Sequence, residues 1–281
     1  YPSALNAIAE GRAAMRRIGD FLALDEVPPA TAEELAAGKL ALTPGATPPT
    51  VRLAAGRYPL TAAAGAPALV LKEDLDVVPG ELLGVAGAVG SGKSVLLRAL
   101  LGELPDLRRQ GRVAYSGQRP WIPSGTLLEV VTQGIQGPAD MAAFRLACSA
   151  AAVDFLRADD EIGEGGAGLS GGQQARVALA RIVYHAGKTA CPVVLDDVLG
   201  ALDPEVSKAV FKQTLAGRLR HATRVFATNS TRDLGRCDRV AVMERIGDDL
   251  VLETVAPPSQ LPLYAVTHAA EAKAEEAAEE E

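Results

Sequence analysis

The chain has 281 residues, 48% hydrophobic and only 4% aromatic, which suits one large α/β domain whose core rests on Leu, Val and Ala. Its net charge of −7 is mostly local: Glu271, Glu275, Glu276, Glu279, Glu280 and Glu281 against Lys273 leave about −5 at the C-terminus, so the remainder is nearly neutral and no nucleic-acid partner is expected. Cys148, Cys191 and Cys237 are odd in number and lack metal-ligand spacing, which predicts buried thiols in a reducing compartment rather than a disulfide or zinc framework; no apolar run reaches the ~18 residues of a membrane helix, and no segment given reads as a signal peptide.

The chain opens at Tyr1 without an initiator methionine and reads as a piece of a longer polypeptide. Leu5, Ile8, Met15, Ile18 and Leu22 predict a helix after Pro2-Ser3, with Arg12, Arg16 and Arg17 off the apolar stripe. Residues 28–49, rich in Pro, Ala, Thr and Gly, predict a linker. Strands are expected at Val51–Leu53, Ala68–Leu71 and Glu81–Val85, and a helix at Val95–Leu101. Another strand follows at Gly111–Tyr115, then a helix at Ala139–Leu156 and a helix at Ser170–Tyr184. Pro192–Leu195 is a short all-apolar strand of the kind buried on both faces. A helix at Glu205–Leu219, a strand at Thr223–Ala227 and strands at Val240–Val242 and Leu250–Val255 complete the pattern. This alternation of strand and helix predicts a mainly parallel sheet wrapped by helices. Beyond Pro257-Pro258 the Ala/Glu composition predicts a frayed helix or disorder.

Three short segments carry chemistry. Gly87-Ala88-Val89-Gly90-Ser91-Gly92-Lys93-Ser94 fits G-x-x-x-x-G-K-[ST] between a predicted strand and a predicted helix. Its glycines let backbone N–H groups turn inward on phosphates; Lys93 brings a cation to the β/γ-phosphates, and the Ser94 hydroxyl reaches Mg²⁺. The apolar strand ending at Asp196 fixes a carboxylate that can also hold Mg²⁺. Leu169-Ser170-Gly171-Gly172-Gln173 starts a helix, where Ser170 and the glycine amides form an anion cradle.

With the P-loop upstream, this last segment resembles the signature of ATP-binding-cassette (ABC) ATPases. The resemblance covers about 200 residues and implies a P-loop NTPase core with a mainly parallel sheet and surrounding helices, an antiparallel β edge and a helical signature subdomain. It implies the division 1–27 (connector helix from a membrane domain), 28–49 (linker), 50–256 (nucleotide-binding domain) and 257–281 (acidic linker or tail). The expected cofactors are ATP and Mg²⁺. The expected partners are membrane domains and a second nucleotide-binding domain, joined head to tail so that Ser170, Gly171, Gly172 and Gln173 face the partner's nucleotide. The location implied is the cytosolic face of a plasma or vacuolar membrane. Gln118 resembles the Gln-loop residue that joins Mg²⁺, and Gly200-Ala201-Leu202-Asp203 the D-loop. Tyr58, about 35 residues before Lys93, resembles the aromatic that stacks on adenine. Trp121-Ile122, Gly125-Thr126-Leu127 and Ile162-Gly163-Glu164 with Gly166 resemble the C subfamily, the multidrug-resistance-associated type.

Two positions depart from the family pattern. Asp197 stands where competent members carry a glutamate that polarises the attacking water; one methylene fewer retracts the carboxylate by about 1 Å, which can cost ~10²-fold in rate. Asn229 stands in place of the switch histidine and cannot take up a proton. An intact signature beside a weakened site resembles the first nucleotide-binding domain of C-subfamily exporters of organic anions or conjugates. A regulatory nucleotide sensor of a channel is the alternative, and a soluble ABC ATPase of DNA repair or translation is disfavoured by the near-neutral core.

Overall fold

The computed structural model describes residues 11–12, 14–19, 40–42 (backbone only), 50–61, 65–105, 107, 112–135 and 137–261. The chain divides into two units, residues 1–36 and 37–281. In the first, residues 11–12 and 14–19 are helical, in line with the predicted helix, and Met15 and Ile18 are exposed. Leu5, Ile8 and Leu22 of the predicted stripe, and the C-terminal segment 262–281, lie outside the described residues.

The second unit holds the predicted alternation. Its strands are β1 (Leu40–Leu42), β2 (Val51–Leu53), β3 (Gly56–Pro59), β4 (Ala68–Leu71), β5 (Leu75–Val77), β6 (Leu82–Ala86), β7 (Ala114–Ser116), β8 (Gly125–Thr126), β9 (Glu161–Ile162), β10 (Val193–Asp196), β11 (Arg224–Ala227), β12 (Arg239–Ile246) and β13 (Asp249–Ala256). Its helices are α1 (Lys93–Leu100), α2 (Leu127–Thr132), α3 (Met141–Ala150), α4 (Gly171–Thr189), α5 (Pro204–Gln213) and α6 (Thr231–Leu234).

Eight strands form one sheet in the order β3-β4-β13-β12-β6-β11-β10-β7. The β3–β4 and β12–β13 pairs are antiparallel and the rest parallel. All residues of β6, β10 and β11 are buried, as strands covered on both faces must be. Their side chains alternate. Leu83, Val85, Val194 and Val225 pack with Leu96, Leu97 and Leu100 of α1, while Leu82, Val193, Leu195 and Phe226 pack on the opposite face with Val177 and Leu179 of α4. A separate antiparallel sheet, β1-β2-β5, has its first strand within the segment predicted as linker.

Register aligns the ends of the central strands. Asp196 pairs with Ala227, Ala227 with Val85, and Leu195 with Ser116. The loops carrying Gly87, Asp197, Thr228 and Gln118 therefore leave one edge together, where ligands bind in open α/β sheets.

Several boundaries moved. The helix predicted over Ala139–Leu156 ends at Ala150, because Ala152 turns left-handed at φ 55°. The helix predicted to end at Tyr184 runs five residues further, to Thr189. The helix predicted through Leu219 changes to a π-helical turn over Thr214–Arg218. The buried Arg224 side chain holds that turn, donating to the carbonyl oxygens of Leu215, Gly80 and Ala222. The three cysteines are free and buried, as expected. Burial pushes the Cys148 thiol up to about 11 and the Cys237 thiol up to about 12, so both stay protonated at neutral pH.

Candidate functional site: a P-loop cleft

The P-loop connects the buried strand β6 to α1. Gly87 adopts φ 150°, and a Cβ there would stand 2.4 Å from Met243 O and 2.4 Å from Ser91 Oγ. Gly92 caps α1 at φ 98° with no side-chain cap, and the first turn carries no acid. The positive end of α1 is thus left for an external anion. Lys93 Nζ donates to Gly87 O at 2.6 Å and Ala88 O at 3.1 Å, folding its ammonium over the loop. Among the described residues the buried Ser91 Oγ has no hydrogen-bond partner. A loop with no room for a Cβ at Gly87, an uncapped helix start and a cation turned inward fit a bound phosphate chain.

A cleft of about 460 Å³ opens on this loop, and Gly90, Gly92, Lys93, Ser94, Gln118, Asp196, Asp197 and Asn229 all line it. Asp196 is buried at the end of β10. With the Ser94 hydroxyl and the Gln118 amide it forms an oxygen donor set of the hard kind that Mg²⁺ takes. Asp197 follows in a left-handed conformation, φ 49°, and its N–H donates to Ala227 O at 2.8 Å. Its carboxylate lies against the backbone of Gly200: a Cβ on Gly200 would be 3.1 Å from both carboxylate oxygens. Thr228 Oγ1 donates to Asp197 Oδ1 at 3.5 Å. Burial, then the charge of Asp196, raise the Asp197 carboxyl above the ordinary carboxylate range, against smaller opposing effects of Thr228, Lys93 and the Asn229 backbone.

Tyr58 needs correction. It is 1% exposed, packed in the core, and its hydroxyl donates to Ala54 O at 2.6 Å. A ring so enclosed has no free face for adenine. Two residues on, Leu60 lines the cleft together with Pro67 and Leu250, and Leu60 N donates to Pro67 O at 2.9 Å. Position 60, not 58, faces the ligand side of this edge. Arg245 and Asp248, from the β12–β13 hairpin, also line the cleft. Arg245 Nε donates to Gly247 O at 3.2 Å. None of these five was singled out from the sequence. The only local signal was the Gly247 turn between two apolar runs.

The signature segment stands apart from this cleft. Ser170 is the N-cap of α4: its Oγ accepts from Gln173 N at 3.3 Å, and Gln173 Oε1 accepts from Ser170 N at 2.9 Å. This reciprocal pair fixes the entry to a nineteen-residue helix. Ser170 and Gly171 are exposed, and a Cβ on Gly171 would meet nothing within 4 Å. A Cβ on Gly172 would stand 3.0 Å from Ala201 O, in the segment read as the D-loop. Neither Ser170 nor any residue to Gln173 lines the P-loop cleft.

A fully buried strand, a phosphate loop, an uncapped helix start and an adjoining acidic strand end define a P-loop nucleotide triphosphatase. Residues 72–197 match the ABC transporter family model, and the chain carries an ABC transporter ATPase domain. It is 42% identical over 182 residues to Multidrug resistance protein mrp-7 of Caenorhabditis elegans, across 60% of this chain and 12% of that protein. It is 34% identical over 254 residues to ATP-binding cassette sub-family C member 4 of Mus musculus, across 87% of this chain and 18% of the relative. It is also 34% identical over 259 residues to ATP-binding cassette sub-family C member 10 of Homo sapiens, across 87% and 16%. The chain thus spans less than a fifth of the length of these relatives, and among the described residues no helix is long and apolar enough to cross a membrane.

Proposed function

We propose that this chain is the first of two nucleotide-binding domains of a sub-family C exporter of organic anions or conjugates, lying at the cytosolic face of a plasma or vacuolar membrane. Its own cleft holds ATP and cleaves it slowly. Its Leu169–Gln173 segment completes the competent cleft of a second domain in a head-to-tail pair, while the exposed neighbourhood of Gln118 serves the membrane domains. Support for the transporter class comes from the relatives; support for the asymmetry comes from the residues themselves.

The observation that carries the reading is the meeting of Lys93, Asp197 and Asn229 in one cleft. Lys93 and the first-turn amides of α1 would hold the phosphates. Ser94, Gln118 and Asp196 would hold Mg²⁺, whose charge offsets that developing on the transferred phosphoryl group. Asp197 is the nearest candidate to orient water, but its carboxylate is short and leans on Gly200. Burial, then the charge of Asp196, raise its pKa, as expected for a carboxyl in a desolvated site. Asn229 can donate a hydrogen bond to a phosphate yet carries no charge. The cleft therefore retains the groups that bind and lacks the two that accelerate. Ser170 and Gly171, at the start of α4, are exposed and lie outside the P-loop cleft.

The test is turnover by the assembled transporter. Asp197→Glu with Asn229→His should raise hydrolysis at this cleft on the order of 10²-fold, the scale that a misplaced catalytic group costs. No gain, with ATP still bound, would remove these two residues as the cause of slow cleavage.

A further inference from the structure

Outside the nucleotide cleft, basic side chains gather around the π-helical turn. A cleft of about 560 Å³ runs between that turn and the end of α3, with Leu146, Ser149, Gly217, Arg218, Arg220 and His221 among its walls. A smaller hollow of about 210 Å³ shares Arg218 and His221 and is otherwise walled by small apolar residues such as Ala186, Gly187, Ala190 and Ala222. No carboxylate lines either space. Arg218 and Arg220 are exposed, and neither forms an ion pair among the described residues. Arg220 Nε donates to His221 Nε2 at 2.9 Å, so that ring nitrogen serves as an acceptor and the other guanidinium N–H groups stay available.

We propose that the acidic end of this same chain, residues 269–281, docks into this basic surface. Three observations select that occupant. Its charge is complementary: six glutamates against one lysine, 6 − 1 = 5 negative charges in excess, alternate with alanines. Its side chains suit the walls, because alanine methyls match the shallow Ala/Gly hollow while glutamates reach Arg218 and Arg220 at its rim. Its attachment also allows it. Leu261, the last described residue, is buried in the same apolar cluster as Leu215 and Leu219 of the turn. The seven residues 262–268 span up to about 23 Å when extended, more than the ~17 Å radius of gyration of a domain of this size. Exposed ion pairs are individually weak and screened by salt, so the docking rests on several at once and dissolves as ionic strength rises. It would place a charge-controlled segment on the face formed by α3 and the π-helical turn.

Hydrogen–deuterium exchange on the full chain tests this. Replacing Glu271, Glu275, Glu276, Glu279, Glu280 and Glu281 with Gln should speed exchange over residues 213–222 about threefold or more, a local-opening effect. Arg218→Ala with Arg220→Ala should abolish the difference between the acidic and neutralised tails. Raising salt to about 0.5 M, where screening acts within a few ångströms, should reproduce the effect of neutralisation. Melting temperature and ATP binding serve as controls for an intact fold. Exchange unaffected by neutralisation overturns the proposal. Protection that grows with protein concentration assigns the tail of a second copy instead, and overturns docking within one chain.

Discussion

Gly87→Ala probes the site at its least forgiving point. The new methyl would sit 2.4 Å from two atoms, Met243 O and Ser91 Oγ. The serine hydroxyl can rotate, but Met243 is held in β12, paired with Leu252 of β13. The φ of 150° is itself unfavourable for a side chain, at about 1–3 kcal/mol, and forced overpacking adds about 1–3 kcal/mol. The sum, about 2–6 kcal/mol, is a large part of the ~5–15 kcal/mol that stabilises a typical domain. At roughly 2–4 °C per kcal/mol for a domain of this size, melting should fall by roughly 4–24 °C, and the fluorescent ATP analogue MANT-ATP should bind weakly or not at all. Gly90→Ala is the control: φ is 82° but nothing lies within 4 Å of its Cβ, so only the dihedral cost of about 1–2 kcal/mol applies. Thermal melts and nucleotide titrations of the two variants side by side decide the matter. Equal effects, or a Gly87→Ala protein with unchanged melting and affinity, would refute the close approach of loop and hairpin as the reason for glycine.

Asp197→Asn should stabilise the domain at neutral pH. The folded carboxyl is raised above the 3.8 of an ordinary Asp, so ionisation costs stability as pH rises through the folded value, while below about pH 3.8 both states are protonated and the difference vanishes. Melting curves across pH check the sign, and a variant less stable at pH 7 would contradict it. Tyr58→Phe removes the bond to Ala54 O and should lower stability by about 1 kcal/mol, leaving ATP affinity unchanged. Leu60→Trp should instead tighten ATP binding by offering a stacking face, with the gain read by titration. A loss of affinity confined to Tyr58→Phe would restore Tyr58 as the base contact.

Much of the fold was legible because its central strands leave little choice. Val193-Val194-Leu195 and Leu82-Leu83-Gly84-Val85 are apolar without alternation, the mark of strands covered on both faces. The P-loop and the start of α4 were legible because glycine, Lys93 and the Ser170–Gln173 capping pair act through local chemistry. What escaped was set by tertiary context. The six-residue α2 is too short to show a period, and its Thr126–Glu129 capping box was not read from the sequence. The π-helical turn depends on Arg224 reaching across from β11 to the Leu215 carbonyl, a contact no local pattern contains. Tyr58 was misassigned because aromatic character and distance from Lys93 do not reveal that β3 buries this ring in the core; Leu60 lies past the end of β3 at Pro59, where the chain reaches the cleft. Arg245 reaches the site through a hairpin whose register is fixed by pairing with β13.

The proposed division of labour between the P-loop cleft and the signature segment is best measured in the assembled transporter by comparing Lys93→Ala with Ser170→Arg. The first strips the cation from this chain's own cleft; the second blocks the cradle at the start of α4 with a bulky charged side chain. Loss of nearly all ATP hydrolysis in Ser170→Arg, with the larger part retained in Lys93→Ala, is the predicted result. The reverse pattern would contradict it, showing that this chain's own cleft does the cleaving.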